Sequence, residues 1–182
     1  MSRKNKTLLI DKEAASALEL LKDGLLSPVE SLMNEQESKN VLKTGLINDR
    51  SFPFPFILAP SGKVNAEVLK SLKKGEEVTI LFENEPFASL IVDEVFHIDP
   101  KERIKQIYGT DDISHPGVMA TLNRLGSLAV CGEYTLLKES RNKNKQKIQE
   151  AKKLIEAKHT TALVMAANPL HRAHERLIRQ TL

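Results

Sequence analysis

The sequence predicts a mixed α+β fold that is β-rich in its middle, and three observations predict it. Residues 76–82 and 87–96 are apolar, branched runs on either side of Asn84-Glu85-Pro86, the pattern of two strands joined by a turn. Residues 13–21 and 65–72 have helical composition and stop at Asp23-Gly24 and at Lys73-Lys74-Gly75, turn residues that end helices. The last stretch, from Thr160, passes from an uncharged apolar run to helical spacing across Asn168-Pro169, which reads as strand, tight turn and helix.

Taken in order, residues 8–10 are a short strand ahead of the first helix. Leu26-Ser27-Pro28 opens a turn into residues 29–33; Ser27 and Pro28 suit capping duties in a helix-turn-helix connector. Residues 52–58 alternate phenylalanine with proline. Proline cannot donate to a ladder, so this is an edge strand or an extended segment. Five of the eight aromatic residues lie elsewhere, which favours a core wall over a sticky aromatic patch. Residues 100–108 form a short basic helix, and residues 128–137 a further strand in which Cys131 is a small buried filler. Residues 138–147 are polar without apolar periodicity, a linker or solvated helix start, and residues 148–157 are an amphipathic helix.

Bulk properties exclude several classes. The chain has 182 residues, 27 Lys+Arg against 24 Asp+Glu, a net charge of +3, too small to argue for nucleic acid. The basic run after Lys138 is broken at Glu150 and has no interleaved aromatic residues for base stacking. A single cysteine rules out an internal disulfide framework and points to a reducing, cytoplasmic setting. No apolar run reaches the ~18–20 residues of a membrane helix, and the first ten residues lack a signal peptide's apolar core. The length suits one domain, or one domain and a piece of another.

The end of the chain carries the chemistry. Residues 160–167 form an uncharged run suited to a strand buried on both faces. Asn168 is a good N-cap, Pro169 suits the first helical position, and residues 170–180 have helical spacing. His171 and His174, three apart, then share one side of the first turn. Free backbone N–H groups and the helix dipole at such a terminus favour an anion such as phosphate. Three readings stay open for the two imidazoles: anion contacts, a metal pair, or surface histidines without a ligand. Two ligands without a nearby third argue against zinc.

The string Asn168-Pro169-Leu170-His171-Arg172-Ala173-His174-Glu175 resembles the Asn-Pro-x-His-Arg-x-His-Glu signature of ATP sulfurylase (sulfate adenylyltransferase). Two further stretches resemble the same family. Gly109-Thr-Asp-Asp-Ile-Ser-His115-Pro-Gly-Val118 is similar to a motif of its N-terminal domain, and Leu21, Gly24, Ser27, Pro28 and Met33 are similar to its Gly-x-x-Ser-Pro element. For His115, contact with an anion and hydrogen bonding that fixes the turn before Pro116 both stay open. The resemblance implies a PUA-like β-barrel with flanking helices over residues 1–138, a linker and helix over 139–159, and the first strand and helix of a Rossmann-like nucleotidyltransferase domain over 160–182.

It also implies a chemistry: ATP and sulfate give adenylyl sulfate and pyrophosphate, a step of sulfate assimilation, with magnesium accompanying ATP. By resemblance Asn168, His171, Arg172 and His174 contact the nucleotide, and Asn168, His171 and His174 serve the reaction. One strand and one helix cannot build a doubly wound sheet, so the chain alone is expected to be inactive. The family reads Gln-Thr-Arg ahead of Asn-Pro, with the glutamine and arginine holding sulfate. Here Met165, Ala166 and Ala167 stand there, so the nucleotide half of the motif is present and the sulfate half is not. A paralogue with another acceptor, a PUA-like binding or interaction module, and an assembly piece that forms homo-oligomers are the alternatives.

Overall fold

The computed structural model describes residues 6–52, 54–137, 144–156, 158, 163 and 169–181. They belong to two compact units, Met1–Asn142 and Lys143–Leu182.

The first unit is built on one sheet of five strands. Strand β1 (Lys6–Ile10) is followed by helices α1 (Lys12–Lys22) and α2 (Glu35–Thr44) and a small hairpin, β2 (Leu46–Ile47) with β3 (Arg50–Ser51). Then come β4 (Leu58–Pro60), α3 (Lys63–Ser71), β5 (Glu77–Phe82), β6 (Glu85–His97), α4 (Pro100–Tyr108), α5 (Pro116–Arg124) and β7 (Leu125–Leu136). The order across the sheet is β1-β5-β6-β7-β4, with β1 parallel to β5 and the other pairs antiparallel.

Alternation along the strands builds the core. Val78 and Ile80 on β5, and Ala88, Leu90 and Val92 on β6, are buried, as is Val130 on β7; successive strand side chains point to opposite faces. Ala15, Leu18 and Leu21 give α1 a matching stripe, one residue every third position. The α1 start is fixed by Asp11, whose carboxylate accepts the Ala14 amide at 2.8 Å.

Two helices escape the sequence reading. Helix α2 begins at a capping box in which Asn34 accepts the Glu37 amide at 2.9 Å and Glu37 accepts that of Asn34 at 3.0 Å. Helix α5 begins at Pro116, after the cap residue His115, and runs directly into β7. Residues 29–33, read as the far arm of a helix-turn-helix connector, are not helical.

The turn of the β5–β6 hairpin is displaced from its expected place. Phe82 pairs with Glu85, and the two residues between them, Glu83 and Asn84, have φ of 53° and 62°. Two positive-φ residues make the turn whose twist matches the strands it joins. Glu85 and Pro86, expected in the turn, are therefore strand residues. The expected extended segment is present: Phe52 and Phe56 pack on the core, Pro55 is fully buried, and the edge strand β4 follows.

The expected β-barrel is only half formed. The sheet curls until the Cα atoms of its edge strands β1 and β4 approach within 8 Å, but the two edges do not pair. Strand β4 has three residues, one of them Pro60 without an N–H. A side chain bridges instead: the buried Asn65 of α3 accepts the Leu9 amide at 2.8 Å and donates to the carbonyls of Leu9 at 2.9 Å and Ser61 at 2.7 Å. One amide thus satisfies both backbone groups of an edge residue.

The second unit contains α6 (Asn144–Leu154) and α7 (Arg172–Thr181). The α6 helix starts four residues earlier than the apolar pattern predicts and ends at Leu154, with Ile148, Leu154 and Ile155 exposed. The expected strand over residues 160–167, Leu163 apart, lies outside the described residues.

Candidate functional site

Helix α7 opens at Arg172, three residues beyond the start expected at Pro169, and His171 occupies the capping position. The reason is visible in the hydrogen bonds. His171 accepts at its carbonyl from the amides of His174 at 2.9 Å and Glu175 at 3.2 Å. Its Nδ1 accepts the Ala173 amide at 3.3 Å, and the Nδ1 of His174 accepts the His171 amide at 3.3 Å. The two histidines therefore cap the helix reciprocally, in the manner of a capping box. Asn168, expected as the cap, lies outside the described residues, as do Met165, Ala166 and Ala167.

The pair of imidazoles is close. Their ring centroids are 3.9 Å apart with planes inclined at 54°. Because each Nδ1 accepts a backbone amide, the neutral form of each ring carries its proton on Nε2. Two N–H donors are thereby presented beside the exposed Arg172. The backbone is less available than the sequence suggests: the amides of His171, Ala173 and His174 already have acceptors. An anion here would be met by side chains rather than by a nest of free amides.

A concavity of about 660 Å³ adjoins the helix start, lined by Leu170, His171, Arg172, Glu175, Ile178 and Arg179. Within it Arg179 donates to Glu175 Oε1 from Nε at 3.1 Å and from Nη2 at 2.8 Å, which neutralises the Glu175 carboxylate. Among the described residues no group of three or more His, Cys, Asp or Glu could hold a metal ion.

His115 has the structural role of its two readings. Its Nδ1 accepts from the amides of Gly117 at 3.2 Å and Val118 at 3.4 Å, and its ring lies 5.3 Å from that of Tyr108. The residues around it serve the same clasp. Gly109 ends α4 at φ 72°, Asp112 accepts the Ser114 amide at 2.8 Å, and Val118 is fully buried. A Cβ on Gly117 would meet the Tyr108 ring at 2.7 Å. The hydrogen bonds of Asp112 to Ser114 hold its carboxyl below the usual range.

The first unit is thus an α+β domain with a curled, half-closed sheet, and the second presents a histidine-capped helix. The family model of the PUA-like domain matches residues 1–139, and the chain belongs to the PUA-like domain family. It is similar to the sulfate adenylyltransferase of Ignicoccus hospitalis, 34% identical over 63% of this chain and 29% of the relative. The sulfate adenylyltransferase of Staphylothermus marinus is 30% identical over 84% of this chain and 40% of its own length. That of a Synechococcus species is 30% identical over 92% and 44%. The chain spans less than half the length of these curated relatives. Among solved structures, the hexameric APS kinase from Thiobacillus denitrificans superposes with a TM-score of 0.64 at 18% identity, over 98% of this chain and 32% of that one. At that identity the likeness is one of fold. No helix among the described residues is long and apolar enough to cross a membrane.

Proposed function

We propose that this chain is the N-terminal part of a sulfate adenylyltransferase-like protein, and that the start of α7 is where the protein meets the triphosphate of ATP. The observation that carries this is the match of residues 168–175 to the family signature, at a helix start where two imidazoles lie 3.9 Å apart. In this reading the Nε2–H groups of His171 and His174 donate to phosphate oxygens, Arg172 adds positive charge, and Asn168 orients the turn. Magnesium accompanies ATP and neutralises charge on the departing pyrophosphate. Transfer of the adenylyl group to an oxyanion needs positioning and charge neutralisation rather than a protein nucleophile. Residues 160–182 are the opening of a Rossmann-like nucleotidyltransferase domain, and the 182-residue chain binds nucleotide without completing the reaction.

A second reading concerns the acceptor alone. Met165, Ala166 and Ala167 offer an oxyanion no charge and no side-chain donor. A guanidinium lost from an anion site removes a charge-assisted, bidentate contact. The acceptor is then something other than sulfate, in a paralogue that keeps the nucleotide half of the site.

Calorimetric titration of the chain with magnesium-ATP and with sulfate, alongside an assay for adenylyl sulfate, tests both readings. Binding of magnesium-ATP that His171→Ala and His174→Ala each weaken, without turnover, supports the first. Nucleotide binding with no response to sulfate favours the changed acceptor. Absence of nucleotide binding refutes the assignment of the α7 start and leaves a PUA-like binding module.

A further inference from the structure

One cavity of the first unit takes no part in the proposed chemistry. It is a groove of about 810 Å³ running along the extended segment and β4, between the start of α1 and the helices α4 and α5. That volume lies within the roughly 300–1,000 Å³ of small-molecule sites. Its walls are largely apolar, with Ile10, Ala17, Phe56, Leu58, Ile107 and Leu125 among them.

The charges in the wall do not balance. Arg124 is satisfied by Asp11, through Nε at 2.5 Å and Nη2 at 3.1 Å, and lies 3.7 Å from Glu13. Arg103 has no such partner among the described residues. Its Nη2 donates to the Pro55 carbonyl at 2.8 Å, while Nη1 is buried and makes no hydrogen bond. Burial lowers its pKa to about 10, still a cation at neutral pH. With Lys63, three cations face two carboxylates in the lining.

The edge strand is a poor template for an added strand. Pro55 and Pro60 have no N–H, and the Phe56 amide is already directed at Met33 Sδ, 3.3 Å away. A strand docking on β4 would find few donors. What the groove offers is apolar surface and one uncompensated guanidinium, and this selects a ligand with an apolar body and a single anionic group.

We propose that this groove binds a small apolar acid, its aromatic or aliphatic body against the apolar walls and its carboxylate paired with Arg103. A carboxylate matches the guanidinium fork in shape as well as charge. Nη1 is closed off from solvent in this conformation, so the guanidinium turns to meet the carboxylate as the ligand enters. The lone excess charge favours a monocarboxylate over a polyanion, which separates this groove from the triphosphate site proposed at α7.

The test uses the whole chain and two probes of one shape, 4-phenylbutyrate and its neutral amide, 4-phenylbutanamide, titrated by calorimetry. The acid is expected to bind at least about ten-fold more tightly than the amide. Arg103→Gln removes that preference, so that acid and amide bind alike. Ala17→Phe, which fills the groove from the half-buried face of α1, weakens both probes by about ten-fold or more with an unchanged far-UV spectrum. Equal binding of acid and amide by the wild-type chain, binding of neither at millimolar concentration, or indifference to Ala17→Phe each overturns the proposal. Persistence of the preference in Arg103→Gln does the same. Should Arg103→Gln fail to fold, the acid–amide comparison and Ala17→Phe still decide.

Discussion

Gly132→Ala should be among the most damaging single-methyl changes in the first unit. Gly132 lies in β7 opposite the point where the β6 register shifts between Val92 and Glu94, and its φ is +152°. A Cβ built there falls 2.0 Å from the Ile91 carbonyl oxygen, where ordinary contact begins at 3.4 Å, and 3.0 Å from the Asp93 amide nitrogen. Both obstacles are backbone of the neighbouring strand, so no side-chain rotation relieves them. Backbone held in a region that is nearly glycine-only costs about 1–3 kcal/mol, and forcing extra volume into a packed site costs about 1–3 kcal/mol more. A loss of about 2–6 kcal/mol is expected, a large share of the roughly 5–15 kcal/mol that stabilises a domain. Urea unfolding followed by far-UV circular dichroism reads this as a midpoint lowered by about 1 M or more. Gly75→Ala is the control, because Gly75 also has positive φ, +81°, but open space where its Cβ would lie. If the two substitutions cost the same, or if Gly132→Ala moves the midpoint by less than about 0.3 M, the steric argument is wrong.

Asn65→Leu leaves the Leu9 amide without its acceptor and should cost about 1–3 kcal/mol, with faster hydrogen exchange at Leu9; unchanged exchange would mean that the edge needs no bridge. At Asp11 burial raises the pKa, but hydrogen bonds and charge from Arg124 and the amides of Ala14 and Glu13 outweigh it and hold the carboxyl below its ordinary value. Its contribution is then present above the unfolded pKa of about 3.9 and lost as pH falls through the lower folded value. Asp11→Asn, which keeps a good N-cap, should be less stable than wild type at pH 7 by about 1 kcal/mol or less, given solvent screening. The gap should close on acidification; a gap that widens in acid contradicts the sign. Burial, with Glu94 and Asp93 adding to it, pushes the Cys131 thiol up to about 11. Labelling by a disulfide reagent at pH 8 should therefore follow unfolding, and rapid labelling of the native chain would show Cys131 to be accessible.

Much of the first unit was legible in the sequence because the signals are local. Apolar runs rich in branched residues marked β5, β6 and β7, and Asp-Gly or Lys-Lys-Gly stops marked the ends of α1 and α3. The Asn34-x-x-Glu37 capping box was also there to be read, and α2 went unassigned only because its apolar stripe is thin, with just Ser38 and Val41 buried. The order of residues in the Asn168–Glu175 motif likewise determined the histidine spacing. The 3.9 Å approach of the two rings comes from the cap that His171 and His174 form together.

Contacts between distant residues were decided only by the tertiary structure. Nothing near Asn65 announces that its amide will serve Leu9, 56 residues earlier in the chain, because the need arises from two sheet edges that curl together without pairing. Nor does a lone arginine in a basic helix announce burial. Arg103 becomes a charge without a carboxylate because the extended segment packs the Pro55 carbonyl against it, 48 residues away in sequence. Local patterns set which elements form, since their hydrogen bonds and periodicities close within a few residues. Which polar groups are left wanting a partner depends on how those elements meet, and it is there that the structure assigns a groove to the chain.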